Sequence, residues 1–372
     1  MYDCLIIGGG GIGLSLAYEL SGHGLRLKVI DRGQPGREAS WAGAGILPPA
    51  NQSPQAPPYE QLRGLSHKLH VKWASALREE TGIDNGYRRC GGLHLARNAA
   101  AAEALCGVMA ALEQMKITVE ELSPDAVAGL EPALGPLSGT GDVHAAYLLP
   151  EEAQIRNPRH LRALLAACLK RGVEVTGGVA AEDFEIRGDR IQAVHTGCGP
   201  LRAETVCICS GAWSNSLLGR LGLKRPVVRP IRGQMVLFSC DRAPLGRVIN
   251  EGLRYLVPRD DGRVLAGSTE EDVGFDCRTT GGGVAGLLEF ALGLVPSLSA
   301  ARLERTWAGL RPATVDGLPY LGPIPGVENA LIATGHFRSG LHMSPGTAVV
   351  LGQLVRGENP DIDLAPLHLD RH

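Results

Sequence analysis

The sequence predicts an α/β plus α+β protein of two domains, one built on a parallel sheet and a second of mostly antiparallel sheet and helices. The chain has 372 residues, enough for two domains with separate cores. Near its start an apolar run, a glycine-rich turn, a helical pattern and a second apolar run follow one another, which is typical of a parallel sheet. Residues 227–269 change to short strands separated by turns, which favours an antiparallel sheet.

The first turn has the composition of a phosphate-binding loop. Residues 4–7 form an apolar run that suits a strand buried on both faces. Gly8, Gly10 and Gly13 then occupy the glycine positions of G-x-G-x-x-G, and a helix is predicted from residue 12 to about residue 20. Glycines let backbone N–H groups approach a pyrophosphate, and the helix N-terminus favours its negative charge. A turn that only packs a helix on a sheet is the alternative.

An acidic residue ends the second predicted strand. Residues 25–30 alternate as a strand, and Asp31 follows where a Rossmann-like fold places the acceptor for ribose hydroxyls. Arg32 would suit the 2′-phosphate of NADP, but Asp31 keeps the ribose position, so NADP is disfavoured. The order of strand, turn, helix, strand and acid therefore predicts a Rossmann-like dinucleotide site.

Composition argues against several other classes of protein. The net charge is −2 and aromatic residues make up 4% of the chain, so nucleic acid is not an expected partner. The nine cysteines show no C-x-x-C spacing, which predicts free thiols in a reducing cytoplasm and no metal site. No basic leader precedes an apolar stretch, and no run approaches the ~18 apolar residues of an integral membrane segment. We expect a cytoplasmic protein, for which a homo-oligomer remains open.

Residues 37–47, REASWAGAGIL, form a loop of mostly small side chains directly after the second strand. Small side chains let the backbone lie against a flat ring system, whereas a flexible linker is the alternative. At this loop the chain resembles the D-amino-acid oxidase/glycine oxidase family of FAD flavoproteins, and within it the bacterial glycine oxidases linked to thiamine biosynthesis. In that family such a loop covers the isoalloxazine ring.

The resemblance extends over nearly the whole chain. It continues in residues 152–158, 204–213, 306–312 with 316–319, and 335–341. The chain departs from the family pattern at four places: Asp31 stands where Glu is usual, Trp41 is bulky for its loop, Ser339 stands where Asn is expected, and His342-Met343 replaces a more apolar pair.

The resemblance implies noncovalent FAD held by a discontinuous, Rossmann-like domain. Residues 1–85, 140–220 and 305–372 are predicted to form this FAD-binding domain, and residues 86–139 and 221–304 the substrate domain. The residues expected to bind the cofactor are Gly8, Gly10, Gly13, Asp31, Arg32, Ala39, Ser40, Gly43, Gly45, Ile46, Val179, Ser210, Gly211, Trp213, Arg338, Ser339, Gly340 and Leu341.

Arg311 is the leading candidate for substrate recognition. It follows the apolar approach of residues 307–310 and precedes Pro312, which is expected to end the strand. A carboxylate in a desolvated cavity needs a cationic partner, and a bidentate arginine supplies it. The matching arginine of the resembled family binds the substrate carboxylate; a structural ion pair is the alternative. By the same resemblance Tyr255 donates its phenol to that carboxylate, unless it is a core tyrosine, and Arg338 and Met343 are placed at the substrate pocket.

The resemblance implies oxidative deamination of a small amino acid: glycine, sarcosine or a small D-amino acid. Hydride transfer to flavin N5 would give an imino acid, then a 2-oxo acid and ammonia, with oxygen reduced to hydrogen peroxide. Two alternatives remain open. One is a dehydrogenase that uses a quinone or a protein acceptor, and the other is a nonenzymatic flavin-binding module.

Overall fold

A computed structural model describes residues 1–139, 141–223 and 228–371 of the chain. Residues 140, 224–227 and 372, which the predicted ranges include, lie outside the described residues. The helices are α1 (Gly11–Leu20), α2 (Ala39–Ala42), α3 (Pro58–Thr81), α4 (Ala99–Gln114), α5 (Pro124–Leu130), α6 (Gly135–Gly139), α7 (Asn157–Lys170), α8 (Ser214–Arg220), α9 (Gly281–Leu294) and α10 (Gly340–Val355).

The strands are β1 (Tyr2–Ile7), β2 (Leu27–Asp31), β3 (Ile46–Leu47), β4 (Arg88–Arg89), β5 (Gly92–Ala96), β6 (Glu120–Glu121), β7 (Ala145–Leu149), β8 (Ala153–Gln154), β9 (Glu174–Gly177), β10 (Ala181–Arg187), β11 (Arg190–Thr196), β12 (Ala203–Ile208), β13 (Arg229–Ser239), β14 (Val248–Glu251), β15 (Arg254–Pro258), β16 (Arg263–Gly267), β17 (Arg302–Ala313), β18 (Tyr320–Ile324) and β19 (Val327–Thr334).

Within the described ranges, a six-stranded sheet runs in the order β18-β19-β12-β1-β2-β9, and all its pairs except β18–β19 are parallel. Both of its faces are covered, as the apolar run of residues 4–7 predicts. Cys4 and Ile6 pack into a core shared with α1, α3, α7 and α10, whereas Leu5 and Ile7 pack into the core on the opposite face. Alternate side chains of a strand point to opposite faces, so a continuous apolar run suits this position.

The parallel pairing explains why motifs far apart in sequence meet. Strand β1 lies between β2 and β12, and β19 follows β12, so the carboxyl ends of these four strands share one edge of the sheet. The segments that leave this edge are residues 8–10, 31–32, 209–213 and 335–341. Open parallel sheets bind ligands in the crevice at such an edge, where the chain turns in opposite directions on either side of a central strand.

The second large sheet in the described part of the chain has eight strands, in the order β17-β13-β16-β15-β14-β5-β7-β6. Its pairs are antiparallel except β14–β5, which confirms the prediction of a mostly antiparallel sheet with helices. Helix α9 packs Leu287, Phe290 and Leu294 on one face of this sheet. The opposite face is turned towards the crevice of the six-stranded sheet, as the residues lining the site below show.

The strand pairing bears on the predicted domain boundaries. Strands β7 and β17 pair within the eight-stranded sheet, although the ranges 140–220 and 305–372 assign them to the FAD-binding domain. Their partners are distant in sequence, so local patterns do not reveal this pairing. We propose that β7 and β17 belong to the substrate domain. Strand β6 is only two residues long, and Glu120 and Glu121 pair with β7 at the exposed edge of the sheet.

Four buried histidines lie on or beside helices α3, α7 and α10. His70, His160, His336 and His342 are each at most 5% exposed. Burial lowers the pKa of His70 to about 4 and the pKa values of His160 and His336 to about 3, and it holds that of His342 well below the usual value. These side chains are therefore neutral in the folded protein near pH 7.

The free energy of unfolding is expected to fall as the pH drops below about 6.5, where an unfolded histidine takes up a proton. Folded His160 stays neutral down to a pH of about 3, so its contribution is fully present above pH 6.5 and is lost progressively below it. One such group contributes a slope of about 1.4 kcal/mol per pH unit. Urea unfolding of the wild type and of His160→Leu at pH 7.5 and 5.5 measures the slope.

The matched control for this prediction is His23→Gln, whose side chain is 41% exposed and pairs only with Glu19 among the described ion pairs. The control is expected to keep the wild-type pH dependence, while His160→Leu becomes less sensitive to acid. Equal slopes in the two variants would show that burial of His160 does not make stability depend on pH.

Candidate active site

The glycine-rich turn has the backbone geometry that close packing demands. Gly8 has φ +112°, and a Cβ there would lie 2.4 Å from the carbonyl oxygen of Cys209. A Cβ on Gly13 would lie 1.9 Å from the carbonyl oxygen of Gly8. A Cβ on Gly10, in contrast, would meet only the Ser40 hydroxyl, at 3.6 Å. Gly8 and Gly13 thus serve the packing of strand, turn and helix, while Gly10 faces open space.

The start of α1 is available to an anion. Gly10 is the N-cap residue, and no side chain caps the helix from that position. The backbone N–H of Gly11 donates to the Ser40 hydroxyl at 2.9 Å, which ties the turn to the loop of residues 37–47. Uncapped N–H groups at a helix start, together with the helix dipole, are suited to bind phosphate oxygens.

Asp31 and Arg32 lie beside this turn. The Asp31 carboxylate accepts hydrogen bonds from the backbone N–H groups of Gly9 and Gly33, each at 2.8 Å. The Arg32 guanidinium lies 3.6 Å from the ring centroid of Trp213, and this stacking joins the end of β2 to the segment after β12. Binding of ribose hydroxyls by Asp31 remains a prediction, and its carboxylate also holds the glycine turn in place.

The loop of small residues packs closely against a neighbouring segment. Gly45 has φ +76°, and a Cβ there would lie 2.0 Å from the carbonyl oxygen of Ile155. The Asn157 amide donates to the carbonyl oxygen of Ser40 at 2.6 Å, and the buried Arg259 guanidinium donates to that of Ala44 at 2.6 Å. The loop is therefore held in one conformation and is not a flexible linker. Asn157 and Arg259 were not among the predicted site residues.

Trp41, the bulky departure in this loop, turns away from the site. Its ring meets that of Trp307 edge-on, with the centroids 5.6 Å apart, and it does not line the cavity described below. Its size therefore leaves the ring-stacking surface of the loop intact.

One cavity of about 520 Å³ joins nearly all the predicted site residues. Every predicted cofactor residue lines it except Gly13, which lies behind the turn and packs against Gly8. Arg311 and Tyr255 line the same cavity from the eight-stranded sheet. The prediction that Met343 lies in the substrate pocket is wrong, because Met343 is fully buried in the core shared by α1, α3, α7 and α10. His342 lines the cavity in its place.

The N-terminus of α10 closes one side of the cavity. Residues 336–342 line it, and α10 is 16 residues long with no side-chain hydrogen bond at its N-cap residue, Ser339. A long uncapped helix presents its positive end and free N–H groups to acceptor atoms of a ligand. This geometry fits the electron-rich pyrimidine edge of a flavin, and residues 338–341 are among those predicted to bind the cofactor.

Arg311 is a largely buried cation without an acidic partner among the described residues. Its guanidinium donates to the Thr269 carbonyl oxygen at 3.2 Å and to the Ser268 hydroxyl at 2.7 Å, and no ion pair to it is found in the residues described. Burial lowers its pKa, while Tyr255 nearby opposes that shift. A desolvated charge is costly unless it is paired, so the arrangement favours an anionic ligand and counts against a structural ion pair.

Strand β17 does not end at Pro312, as the sequence led us to expect. It continues to Ala313, and Arg311 lies opposite Ile231 of β13. The guanidinium lies over Gly233, where a Cβ would be 2.2 Å from its nitrogen atoms. The absence of a side chain at Gly233 therefore lets Arg311 reach across the sheet towards Ser268.

Arg338, in contrast to Arg311, is paired with an acidic side chain of the protein. It donates to the carbonyl oxygen of Leu253 at 2.8 Å and to the Glu270 carboxylate at 3.3 Å, and its side chain is 28% exposed. It therefore frames the rim of the cavity, where its charge is already paired.

Three further polar residues of the cavity wall, His94, Glu152 and Asn250, were missed as site residues. His94 and Asn250 could have been recognised in the sequence, because each is a polar residue at an alternate position of a strand that is otherwise buried.

The residues present fit FAD. The turn at Gly10 and the open start of α1 suit the pyrophosphate, the constrained loop around Gly45 suits a flat ring, and the N-terminus of α10 suits its pyrimidine edge. All of them line one cavity. A parallel sheet has this cavity at its carboxyl edge and is roofed by an antiparallel sheet, whose Arg311 has no acidic partner in the described part of the chain. This arrangement is that of a flavin-dependent oxidoreductase.

The chain belongs to the FAD dependent oxidoreductase (DAO) family, whose model matches residues 3–354. It is 36% identical over 363 residues to a glycine oxidase of Pseudomonas aeruginosa, a match that covers 97% of both chains. It is 33% identical to the bifunctional protein ThiO/ThiG of Trichormus variabilis over 99% of this chain and 55% of that protein. The crystal structure of glycine oxidase from Geobacillus kaustophilus superposes with a TM-score of 0.93, at 32% identity, covering 100% of this chain and 99% of that one.

FAD is therefore the cofactor, and the chain is an FAD-dependent amino-acid oxidase of this family. In the part of the chain described, no helix is both long enough and apolar enough to cross a membrane.

Proposed function

We propose that the protein oxidises a small amino acid, with glycine as the first candidate and sarcosine or a small D-amino acid next. The observation that supports this most is Arg311, a largely buried cation in the wall of the cavity that has no acidic partner among the described residues. The identity to a glycine oxidase over nearly the full length of both chains supports the same conclusion.

Arg311 and Tyr255 are the residues we propose for substrate binding. Arg311 places two N–H donors against the substrate carboxylate, a geometry that gives short, charge-assisted hydrogen bonds. Tyr255 is 8% exposed, its side chain lies beside the Arg311 guanidinium, and its hydroxyl group donates to the Met235 sulfur at 3.6 Å. A sulfur atom is a weak acceptor, so the phenol is free to donate to a carboxylate oxygen.

The cavity supplies orientation and excludes water. The turn at Gly10, the loop around Gly45 and the N-terminus of α10 would hold FAD, which would supply the acceptor for a hydride from the substrate Cα. The imino acid that leaves is hydrolysed to a 2-oxo acid and ammonia, and we propose that oxygen is the final acceptor and is reduced to hydrogen peroxide. Noncovalent attachment is supported by Cys209, the cavity-lining thiol, because burial raises its pKa far above neutral pH and keeps it a poor nucleophile.

A role for the imine in thiamine biosynthesis is supported by the bifunctional ThiO/ThiG relative, about half of which this chain matches. A cytoplasmic location is supported by nine cysteines that are all free thiols, as expected in a reducing compartment.

The proposal is tested by adding glycine, sarcosine and D-alanine separately to the purified protein without oxygen. We expect at least one of them to bleach the flavin absorbance, and the fastest bleaching identifies the substrate. Air is then admitted: rapid return of the yellow colour with hydrogen peroxide supports an oxidase. Slow return, with fast turnover on a quinone, would instead establish a dehydrogenase. A flavin that none of the amines reduces would contradict the proposal and favour a nonenzymatic module.

A further inference from the structure

Three polar side chains form a hydrogen-bonded cluster in the wall of the flavin cavity. His94 lies on β5, Asn250 on β14, and Glu152 just before β8. The Asn250 amide donates to one Glu152 carboxylate oxygen at 2.9 Å, and His94 Nε2 lies 3.1 Å from the other. The Glu152 side chain is only 2% exposed. The cluster is thus a buried carboxylate that joins two more exposed side chains, and all three residues line the cavity.

The sheet register places this cluster beside the proposed carboxylate site. Asn250 is the register partner of Tyr255, and His94 is the register partner of Asn250. Directly opposed residues on neighbouring strands point to the same face, with Cβ atoms about 5 Å apart in an antiparallel pair. Tyr255, Asn250 and His94 therefore form a row across three strands on the face that lines the cavity.

Glu152 determines which atoms of Asn250 and His94 remain available to hydrogen-bond with a ligand. A carboxylate only accepts hydrogen bonds, so it must receive the N–H of the Asn250 amide and the Nε2–H of His94. Asn250 Oδ1 and, on a neutral imidazole, His94 Nδ1 are then left as acceptors, while Asn250 Nδ2 and His94 Nε2, which lie 3.2 Å apart, both donate to Glu152. Neither acceptor atom has a hydrogen-bond partner in the ranges described, and neither is among the enclosed polar atoms that lack one. The cavity wall thus presents donors at Arg311 and Tyr255 and acceptors one strand further along.

We propose that Asn250 and His94 accept the hydrogen bonds of the substrate amino group, and that Glu152 is the positioning residue that orients both. This inference rests on the proposed function. The two ends of the site have complementary preferences: Arg311 and Tyr255 bind the carboxylate, while the acceptor pair binds the N–H groups of an α-amino acid. A carboxylic acid without an amine satisfies only the first end. The cluster therefore distinguishes amino acids from other small carboxylates.

The test compares two ligands, glycine and acetate, on Asn250→Ala and Glu152→Gln. Binding of each ligand is followed through the flavin absorbance in the absence of oxygen. The absorbance reports both a spectral shift on binding and the loss of colour on reduction. Asn250→Ala is expected to raise the half-saturating glycine concentration by about tenfold or more, and acetate binding should change by less than about twofold. Glu152→Gln should weaken glycine selectively as well, because an amide can present its own N–H groups to Asn250 and His94.

Glu151→Gln is the matched control, since Glu151 precedes Glu152, is 43% exposed and pairs with Arg89. It should bind both ligands as the wild type does. Unchanged glycine binding in Asn250→Ala and Glu152→Gln overturns the inference, and so does equal weakening of glycine and acetate. If Asn250→Ala does not fold, Glu152→Gln and His94→Ala decide by the same comparison. Failure of every amino acid to reduce the wild-type flavin refutes the proposed function separately, because binding is still read from the spectral shift.

Discussion

Replacing Arg311 with alanine is expected to leave FAD bound while weakening glycine binding by roughly 10- to 100-fold. The guanidinium is largely buried in the cavity wall and has no acidic partner among the described residues; it donates to a carbonyl oxygen and a hydroxyl group and lies beside Tyr255. A carboxylate bound to it would lose a bidentate, charge-assisted contact in a desolvated setting. The measurement is the half-saturating glycine concentration for anaerobic flavin reduction, together with the visible spectrum of the bound flavin.

Arg302→Ala is the control for this variant, because Arg302 lies on the same strand with an exposed side chain. It removes an equal charge far along β17 from the cavity and should behave as the wild type. Acetate binding should weaken in Arg311→Ala as strongly as glycine binding, unlike in Asn250→Ala. Unchanged affinity for both ligands would rule out Arg311 as the carboxylate partner.

Replacing Gly10 with valine is expected to give a folded protein that has lost its flavin. Gly10 has φ −78° and ψ −168°, which any residue adopts, and a Cβ would meet only the Ser40 hydroxyl at 3.6 Å. The protein itself therefore tolerates the side chain. A bound pyrophosphate would not, since the branched side chain would occupy the space through which the backbone approaches the phosphate oxygens. The flavin-to-protein absorbance ratio after purification and the far-UV circular dichroism measure the two effects.

Two further glycines separate loss of cofactor from loss of fold. Gly22→Ala should retain FAD, because a Cβ there meets nothing within 4 Å. Gly13→Val should lower the unfolding temperature, because its Cβ would collide with the Gly8 carbonyl oxygen at 1.9 Å. Full flavin occupancy in Gly10→Val would show that the phosphate lies elsewhere.

The nucleotide end of the site was largely predictable from sequence. Its parts are local: a buried strand, the glycine turn and Asp31 at the next strand end follow one another within the first βαβ unit. Such a unit closes on itself through neighbouring strands, so its order along the chain specifies its geometry. The conformation of Gly45 was also indicated, since a loop of small residues next to a ring-binding turn favours close backbone contact.

The prediction for Met343 failed because of the direction in which its side chain leaves the helix. Leu341 and Met343 are two positions apart on α10, and an α-helix turns about 200° over that spacing. Leu341 therefore lines the cavity while Met343 points into the core on the other side of the helix. The sequence indicated the segment, but the rotation of the helix about its axis depends on packing against α1 and α3.

By itself the sequence determined the cofactor class and indicated Arg311, the cation that we propose for substrate binding, because motif order and residue type carry both. Only the tertiary structure decided that Arg311 has no acidic partner among the described residues and that Tyr255, Asn250 and His94 stand in one row. Both features depend on strand register between segments up to about 160 residues apart, as for His94 and Asn250 at a separation of 156. Register is set by the packing of whole sheets, since shifting a strand by one residue would turn its side chains to the opposite face.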